Sequence, residues 1–394
     1  MRVVIGVLAL AYPGGTETYC LTVARALERL GHEVTLFADE LGPLAERAVD
    51  GGFDVARELT ELPAQCEAVL ANDAITAGLL AGRYPDTRLV YCVHSSLFEV
   101  QTPPLDSGIV DAIVAPSDRL AAHAHALALD VPVVRLAQPI DTERFLPSEA
   151  PRLPPRRALL LSSYLEDRRR EALVETWTAA GIECVQVGAA DRVVFDVRPE
   201  IAQADIVVAK ARAALEAMAC GKAVYVFDGF GGDGWVTADS YPALEADNFA
   251  GQATDRPVDR HRLAADLDRY DPDMGWINRE IVIRNHSARS HAHQLVELLR
   301  GPSPRRPDSV SSAAATARTV RYAWRMQRRA ASSAREAAAL RAQVAELTSE
   351  RDAWRVRALE ADRALQASSE LIRTRRVHAG IALGRCLDRL RGRP

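Results

Sequence analysis

The segment Val207–Val226 reads VVAKARAALEAMACGKAVYV, and it determines how the surrounding chain is expected to fold. It begins in an apolar strand, passes through a basic turn into a run of strong helix formers, and ends in a second apolar strand. Gly221 stops the helix, as a glycine just after a helix C-terminus does. Unpaired N–H groups and the helix dipole favour an anion at the start of such a helix. The segment therefore predicts a strand–turn–helix unit with a phosphate site at its turn.

Two cations, Lys210 and Arg212, stand at that turn, and Glu216 follows Arg212 by one helical turn. Lysine is rare here, since Lys222 is the only other one beside 47 arginines. Residues 216–221, Glu-Ala-Met-Ala-Cys-Gly, resemble the E-A-M-A-x-G segment of family 4 glycosyltransferases, which have the GT-B fold. The resemblance implies that Glu216 holds the ribose of a nucleotide-sugar donor, while Lys210, Arg212 and the helix start neutralise the diphosphate that leaves. The alternative is an amphipathic helix that merely packs on a sheet.

The N-terminal segment carries a second part of the resemblance. Gly14 and Gly15 follow an apolar run, and the helix after them leads into Gly-His-Glu-Val at residues 31–34. This order is similar to the G-G-x-E and G-H-E-V opening of the family. Glycines also let backbone N–H groups approach a ligand closely. We therefore expect Gly14 and Gly15 to line the donor site.

His94 directly follows the apolar run Leu89–Val93 and resembles the strand-end histidine of the family. The resemblance implies that His94 faces the donor sugar near the reacting carbon, where an imidazole can bind a hydroxyl and steady developing charge. A histidine whose hydrogen bonds are satisfied within its loop is the alternative.

A glycine-rich stretch at 230–235 follows another apolar strand and corresponds to the G-G-x-x-E loop of the family. The resemblance implies that Gly232 and Asp233 contact hydroxyls of the donor sugar. The alternative is a turn in which Asp233 caps the next helix.

The chain departs from the family pattern at two places. Val208 stands where the family has a second glutamate that contacts the donor sugar. The stretch 162–170 lacks the glycine and lysine of the family's basic segment. Arg168 or Arg169 is therefore expected to help the cations of the Lys210 turn at the diphosphate.

Alternating apolar runs and helical segments predict two doubly wound parallel sheets. The fold class is α/β, of GT-B type, with two Rossmann-like domains facing across a cleft and a C-terminal helical or coiled-coil extension. The predicted divisions are an N-terminal acceptor-side domain, a nucleotide-sugar-binding domain, a linker, a helical extension and a basic tail, at residues 1–147, 156–300, 301–312, 313–372 and 373–394. Predicted strands in the second domain include Ala158–Ser162, Cys184–Val187 and Val193–Asp196.

Composition narrows the setting of the protein. Six scattered cysteines without a C-x-x-C pair indicate a reducing compartment. The net charge of −4 averages an acidic-to-neutral body with a basic tail and says little about partners, and we expect no nucleic-acid partner. No apolar run is long enough to span a bilayer. A short apolar N-terminus is typical of a first parallel strand, with a secretory leader as the alternative. We expect a cytoplasmic protein, with contact at the inner membrane face if the basic tail binds anionic lipid.

The extension shows a seven-residue apolar repeat, formed by Leu340, Val344, Leu347, Trp354, Ala358, Ala361, Leu365 and Ile372. Arg351 and Ser368 are poor members of it. The repeat predicts a short, imperfect coiled coil that associates with itself through residues 333–372. A single long helix that packs on the body or frays is the alternative. In the tail, seven arginines accompany one acidic residue, which suits either an anionic membrane face or a solvated end.

These features predict a retaining glycosyltransferase that uses a UDP- or GDP-linked sugar and a glycan acceptor of the cell envelope or on a lipid carrier. No Asp-x-Asp pair ends a suitable strand, so neither a metal nor a separate cofactor is expected. One alternative is an inactive transferase-like scaffold that recruits partners through its coiled coil, which the loss at Val208 favours. Another is a nucleotide-sugar epimerase of the same fold.

Overall fold

A computed structural model describes residues 1–104, 107–147, 149–162, 165, 167–188, 193–229, 231–254, 258–303 and 307–391. The chain divides into two compact units, Met1–Arg321 and Tyr322–Pro394. The larger unit holds two sheets with their helices. The smaller unit is helical.

Seven strands form the first sheet, and every neighbouring pair is parallel. Their bounds are β1 (Arg2–Leu10), β2 (Glu33–Leu41), β3 (Asp54–Ala56), β4 (Ala68–Ala71), β5 (Arg88–Cys92), β6 (Ala112–Ala115) and β7 (Val133–Arg135). The connecting helices are α1 (Gly15–Arg29), α2 (Pro43–Asp50), α3 (Ala74–Arg83) and α4 (Asp118–Ala126). The spatial order β3-β2-β1-β4-β5-β6-β7 reverses between β1 and β4. A ligand crevice is expected where such a reversal occurs, outside the carboxyl ends of the strands.

Five strands form the second sheet, in the order β12-β11-β10-β8-β9. Their bounds are β8 (Arg157–Leu161), β9 (Glu183–Val187), β10 (Ile206–Ala209), β11 (Ala223–Asp228) and β12 (Gly231–Trp235). Only β12 runs antiparallel to its neighbour. The helices are α5 (Asp167–Ala179), α6 (Arg198–Gln203), α7 (Ala211–Ala219), α8 (Tyr241–Ala246), α9 (Arg260–Leu267) and α10 (Met274–Asn285). The order reverses between β8 and β10, so the starts of α5 and α7 border the second crevice.

The two predicted doubly wound sheets are confirmed, but one predicted strand is wrong. Residues 193–196 have no regular secondary structure. Asp196 accepts a hydrogen bond of 3.2 Å from the backbone N–H of Arg198 and pairs with its guanidinium. That pairing makes the segment a helix-start turn leading into α6. The apolar composition of residues 193–196 did not indicate this turn.

The glycine-rich stretch expected to be a loop is the edge strand β12. A Cβ atom on Gly232 would lie 2.5 Å from the ring of Phe227, and one on Gly231 would lie 2.2 Å from the carbonyl oxygen of Gly251. The glycines therefore allow close packing of β12. Sequence reasoning missed this strand because glycine is usually depleted in strands.

Helix α11 (Ala288–Leu299) follows the second sheet in sequence but packs with the first. Its apolar face, which includes Ala292, Leu295 and Leu299, joins the core formed by β1, β2 and α1. The chain thus crosses back to the first domain before residue 300. The predicted domain bounds did not include this return.

The last helix, α12 (Pro307–Leu390), begins inside the predicted linker. Its first part approaches α3 closely, because a Cβ on Gly78 would lie 2.6 Å from Cβ of Ala317, and one on Gly82 would lie 2.5 Å from Cβ of Ala314. At the end of this part Arg321 pairs with buried Asp39. Two glycines one turn apart therefore form a groove for the start of α12.

The smaller unit consists of the remainder of α12, and most of its described side chains are exposed. Through the described ranges of the chain, none of the helices combines the length and the apolarity that crossing a bilayer requires.

Candidate active site

The loop after β1 starts α1 with two glycines. Gly14 is the N-cap of α1 and has an extended backbone. A Cβ atom on Gly14 would lie 2.3 Å from Oε2 of Glu17, so glycine lets that carboxyl group fold back over the helix start. Gly15 borders open space. Gln101 donates a hydrogen bond of 2.9 Å to Oγ1 of Thr16, which ties the segment after β5 to this loop.

Glu17 belongs to this region, although the sequence-based interpretation did not select it. Burial raises the pKa of Glu17 to about 7, and the nearby charge of Asp73 raises it as well. Asp73 caps α3 by accepting a hydrogen bond of 2.8 Å from the backbone N–H of Thr76. Burial raises the pKa of Asp73 to about 6. Glu17 is the glutamate of the G-G-x-E motif, and that motif was the signal that could have identified it.

His94 follows β5 and is held in a defined tautomer. Nδ2 of Asn72 donates to the carbonyl oxygen of Gly6 at 2.9 Å. The other amide atom, Oδ1, therefore accepts the hydrogen bond of 2.8 Å from Nε2 of His94. Nδ1 of His94 then carries the lone pair. The ring of Tyr19 stands edge-on, with 4.7 Å between centroids, and burial is the main cause that lowers the pKa of His94 to about 3. The imidazole is neutral at physiological pH.

Two further buried histidines extend this neutral network. Nδ1 of His291 donates to the carbonyl oxygen of Ala137 at 3.0 Å, so its Nε2 accepts from the hydroxyl of Tyr19 at 3.1 Å. His286 donates in the same way to the carbonyl oxygen of Gln138 at 2.8 Å. Burial lowers the pKa of both histidines to about 4. They fix the segment that joins the two domains, a role to which their helical sequence context gave no clue.

Lys210 ends β10 and is the N-cap of α7. Its ammonium pairs with the carboxylate of Asp228, a fully buried residue at the end of β11. Nη1 of Arg169 lies 3.5 Å from the carbonyl oxygen of Asp228. The predicted cations Lys210 and Arg169 therefore meet at one residue beside the second crevice, while Arg168 is exposed at the start of α5. Asp228 was missed; its only sequence signal is an acid that ends an apolar strand.

Arg212 and Glu216 face the first domain and not the interior of the second sheet. Nε of Arg212 lies 2.9 Å from Oε1 of Glu216. Nη1 donates to the carbonyl oxygen of Pro139 at 2.8 Å, and Nη2 donates to Oγ1 of Thr22 at 2.6 Å. Burial raises the pKa of Glu216, while the charge of Arg212 acts in the opposite direction. All three nitrogens of Arg212 thus have protein partners, and its predicted role at a diphosphate stays a prediction.

Val208, at the position of the missing glutamate, is fully buried in β10. It packs in an apolar cluster with Leu160, Trp177 and Tyr225. A carboxylate there would be desolvated among apolar groups and would not reach a crevice. The family's second glutamate therefore has no counterpart at this position.

Asp233 lies on β12, where its carboxylate accepts hydrogen bonds from the backbone N–H groups of Ala253 and Thr254 at 3.3 and 2.9 Å. It orders the 253–254 segment and does not cap the next helix. Contact of Gly232 or Asp233 with a sugar stays a prediction. Ser163, Tyr164 and Glu166 of the basic stretch lie outside the described residues, as does Phe230. Over the part of the chain that the structure describes, His, Cys, Asp and Glu form no group of three or more that could hold a metal.

Known proteins share this two-sheet fold. Crystal structures of HepE from Anabaena superpose on the two sheets: the complex with UDP-glucose has a TM-score of 0.57 at 14% identity. The complex with UDP and glucose has a TM-score of 0.56 at 13% identity. Each match covers 76% of this chain and 99% of HepE. The fold defines a GT-B protein.

Part of the sequence also matches a known family. Residues 13–144 match the model of Glycosyltransferase Family 4. No curated protein matches the chain significantly. The resemblance read from the motifs is confirmed over these residues. The match spans the first domain and ends just before the predicted boundary at residue 147.

Proposed function

We propose that the protein transfers a sugar from a nucleotide-sugar donor, with the diphosphate bound at the start of α7 and the acceptor on the first domain. The proposal rests chiefly on one arrangement. Lys210 stands at the amino end of α7, at the strand-order reversal of the second sheet, and Glu216 on the same helix pairs with Arg212, which contacts Thr22 of the first domain. HepE of Anabaena, which shares the fold, was crystallised with UDP-glucose. A UDP-linked sugar is therefore the first donor to test, with GDP-linked sugars second.

Each part of the donor is expected to contact a different group of residues. Lys210, Arg169 and the N–H groups of α7 balance the charge of the diphosphate. Glu216 accepts hydrogen bonds from the ribose hydroxyls. His94 is neutral, so its Nδ1 lone pair is suited to accept a hydrogen bond from a sugar hydroxyl. Because protein cations balance the phosphate charge, we propose a metal-independent reaction. The resemblance to family 4 glycosyltransferases supports retention of the anomeric configuration.

Nucleotide binding tests this assignment directly. Titration calorimetry with UDP, GDP and their sugars should give binding to the wild-type protein. Glu216→Gln removes the carboxylate that would accept from the ribose hydroxyls, so it should weaken binding at least tenfold, a change of about 1.4 kcal/mol. Glu175→Gln is the matched control, since Glu175 pairs with Arg260 on the exposed surface of α5. Unchanged nucleotide affinity in Glu216→Gln would remove the ribose role.

Measuring turnover tests catalysis separately from binding of the donor. With a UDP-sugar and a chelator present, slow donor hydrolysis or transfer should continue, and nuclear magnetic resonance of the product should show the donor's anomeric configuration. Activity that requires an added divalent cation would contradict metal independence. An inverted product would contradict retention.

A second candidate function is an inactive scaffold that binds nucleotide and recruits partners through its extension. The burial of Val208 and the three protein partners of Arg212 favour it, because both remove expected donor contacts. Tight nucleotide binding without hydrolysis or transfer for any donor tested would favour this function. Turnover that Glu216→Gln abolishes would exclude it.

We also propose that the arginine-rich end of α12 contacts anionic membrane from the cytoplasmic side, close to a glycan or lipid-linked acceptor. Arg375, Arg376 and Arg385 are exposed on this helix. The full chain should cosediment with vesicles in which about 30 mol% of the lipid is phosphatidylglycerol, and not with vesicles of phosphatidylcholine alone. Replacing the three arginines by glutamine should abolish cosedimentation. Equal sedimentation of wild type and variant would overturn the proposal.

A further inference from the structure

The smaller unit carries a row of exposed apolar side chains along α12, which we call the apolar seam. Six large apolar side chains lie on the a and d positions of a seven-residue repeat, and each is between 54% and 70% exposed: Leu340, Val344, Leu347, Trp354, Leu365 and Ile372. A stripe of this period on one helix matches the seam of a two-stranded coiled coil. In heptad positions, Val344, Arg351, Ala358, Leu365 and Ile372 occupy a, and Leu340, Leu347, Trp354, Ala361 and Ser368 occupy d. The seam specifies a partner of the same period, and a second copy of the chain supplies one.

We infer that two copies of this chain pair through residues 333–372 as an antiparallel coiled coil centred between Asp352 and Ala353. In an antiparallel pair each a residue faces a d residue of the other helix, and flanking charges meet as g with g and e with e. In a parallel pair a faces a, d faces d, and g meets e. The two orientations therefore make different demands on the same sequence.

The core residues favour the antiparallel arrangement. About this centre, Arg351 faces Trp354 of the second copy, so a cation meets an aromatic ring. Small residues meet larger ones, because Ala358 faces Leu347 and Ala361 faces Val344. A parallel pair would instead place Arg351 against Arg351 and leave two successive layers of alanine only. Like charges and underfilled layers both weaken a seam.

The flanking charges select the register within the antiparallel arrangement. About the proposed centre, Glu350 at g meets Arg357 of the second copy, and Arg341 at e meets Asp362. The twofold axis repeats each attractive pair. Sliding one helix by a heptad in one direction juxtaposes Glu350 with Glu350 and Arg341 with Arg355. Sliding it in the other direction juxtaposes Arg357 with Arg357 and Arg355 with Arg355. Only the central register joins opposite charges.

Charge reversal separates the two orientations by their different partners. In sedimentation equilibrium of the full chain, Glu350→Arg should weaken self-association about tenfold, since it turns two attractive pairs into repulsive ones. Adding Arg357→Glu should restore the wild-type affinity within about threefold if the pairing is antiparallel. Rescue by Arg355→Glu in place of Arg357→Glu would indicate a parallel pair and overturn the inference. Glu360→Arg, at position c outside the seam, is the matched control.

Cysteine cross-linking gives an independent readout. In a Cys386→Ser background, Val344→Cys and Ala361→Cys are made as separate proteins of distinguishable mass and mixed under mild oxidation. The antiparallel pairing predicts a cross-link between the two proteins and little within either. Arg363→Cys, at position f, should not cross-link. A dominant cross-link of Ala361→Cys with itself would show a parallel pair. A wild-type chain that stays monomeric up to a concentration of about 100 μM, where even weak interfaces associate, would overturn self-pairing.

Discussion

The two halves of the candidate site are built on opposite electrostatic principles. Around His94 in the first domain, the groups are neutral and buried, and their hydrogen bonds to Asn72 and Tyr19 fix tautomer and position. Around Lys210 in the second domain, full charges meet at buried Asp228 beside the start of α7. The first half is thus ordered by packing and hydrogen bonds, and the second by ion pairing. The sugar and the diphosphate of the proposed donor differ in charge in the same way.

The largest expected effect concerns the charged half. Lys210→Met should lower the free energy of unfolding by about 3–5 kcal/mol, because the buried carboxylate of Asp228 loses its ammonium partner. Urea denaturation of the unliganded protein measures it. Adding Asp228→Asn should recover most of the loss, and Arg300→Met, which removes the exposed pair with Glu297, should change stability little. A single variant as stable as wild type would show that the pair carries no weight.

The next effect breaks the neutral half. Asn72→Leu should lower the free energy of unfolding by about 2–3 kcal/mol, since the Nε2–H of His94 and the carbonyl group of Gly6 lose their partner in a buried site. Denaturation at two salt concentrations measures it, and the loss should be the same in both. Asn285→Leu, on an exposed part of α10, serves as the control. A loss that depends strongly on salt would contradict the description of this half as neutral.

The free energy of unfolding should also depend on pH through Glu17 in the first domain. The pKa of Glu17 is raised from 4.5 to about 7 in the folded protein. Its contribution to stability is therefore complete below pH 4.5 and is lost as the pH rises through 7. Relative to Glu17→Gln, the wild type should lose up to about 3 kcal/mol between pH 4.5 and pH 8. Denaturation curves of both proteins across this range measure it, and parallel pH profiles would show that Glu17 is not held neutral.

The smallest effect lies outside both halves, where the domains also meet. Arg119 on α4 pairs with Asp247 at 2.8 Å and contacts Gln252. The pair is partly exposed, so Arg119→Gln should lower the free energy of unfolding by less than about 1 kcal/mol. The loss should shrink further in salt. A loss as large as that of Lys210→Met would place a major interdomain clamp here.

Residues inside apolar runs were the most predictable part of the molecule. Ala158–Ser162 was predicted as a strand and is observed as β8, whose bounds lie one residue earlier. Lys210 was predicted in the turn before a helix, and it is the N-cap of α7. Such runs are legible because a parallel strand covered on both faces admits few polar residues. Val193–Asp196 failed because an apolar composition does not reveal that Asp196 pairs with Arg198 two residues later.

The candidate site was predictable only where a motif carried it. Gly14, His94 and Glu216 stood in recognisable motifs, whereas Asp228 and Glu17 were not selected. Arg212 was predicted to help neutralise the diphosphate, and the structure gives each of its nitrogens a protein partner. Those partners, Pro139 and Thr22, lie far away along the chain, so no local pattern could announce them.

The sequence alone indicated that buried strands alternate with helices, that several motifs resemble those of family 4 glycosyltransferases, and that a heptad seam follows. These properties are periodic or local, so neighbouring residues encode them. Only the tertiary structure decided that α11 returns to the first core, that Gly78 and Gly82 admit the start of α12, and that His94 is neutral. The reason is physical: desolvation and close contact depend on which distant residues surround a group, and that is set when the chain is folded.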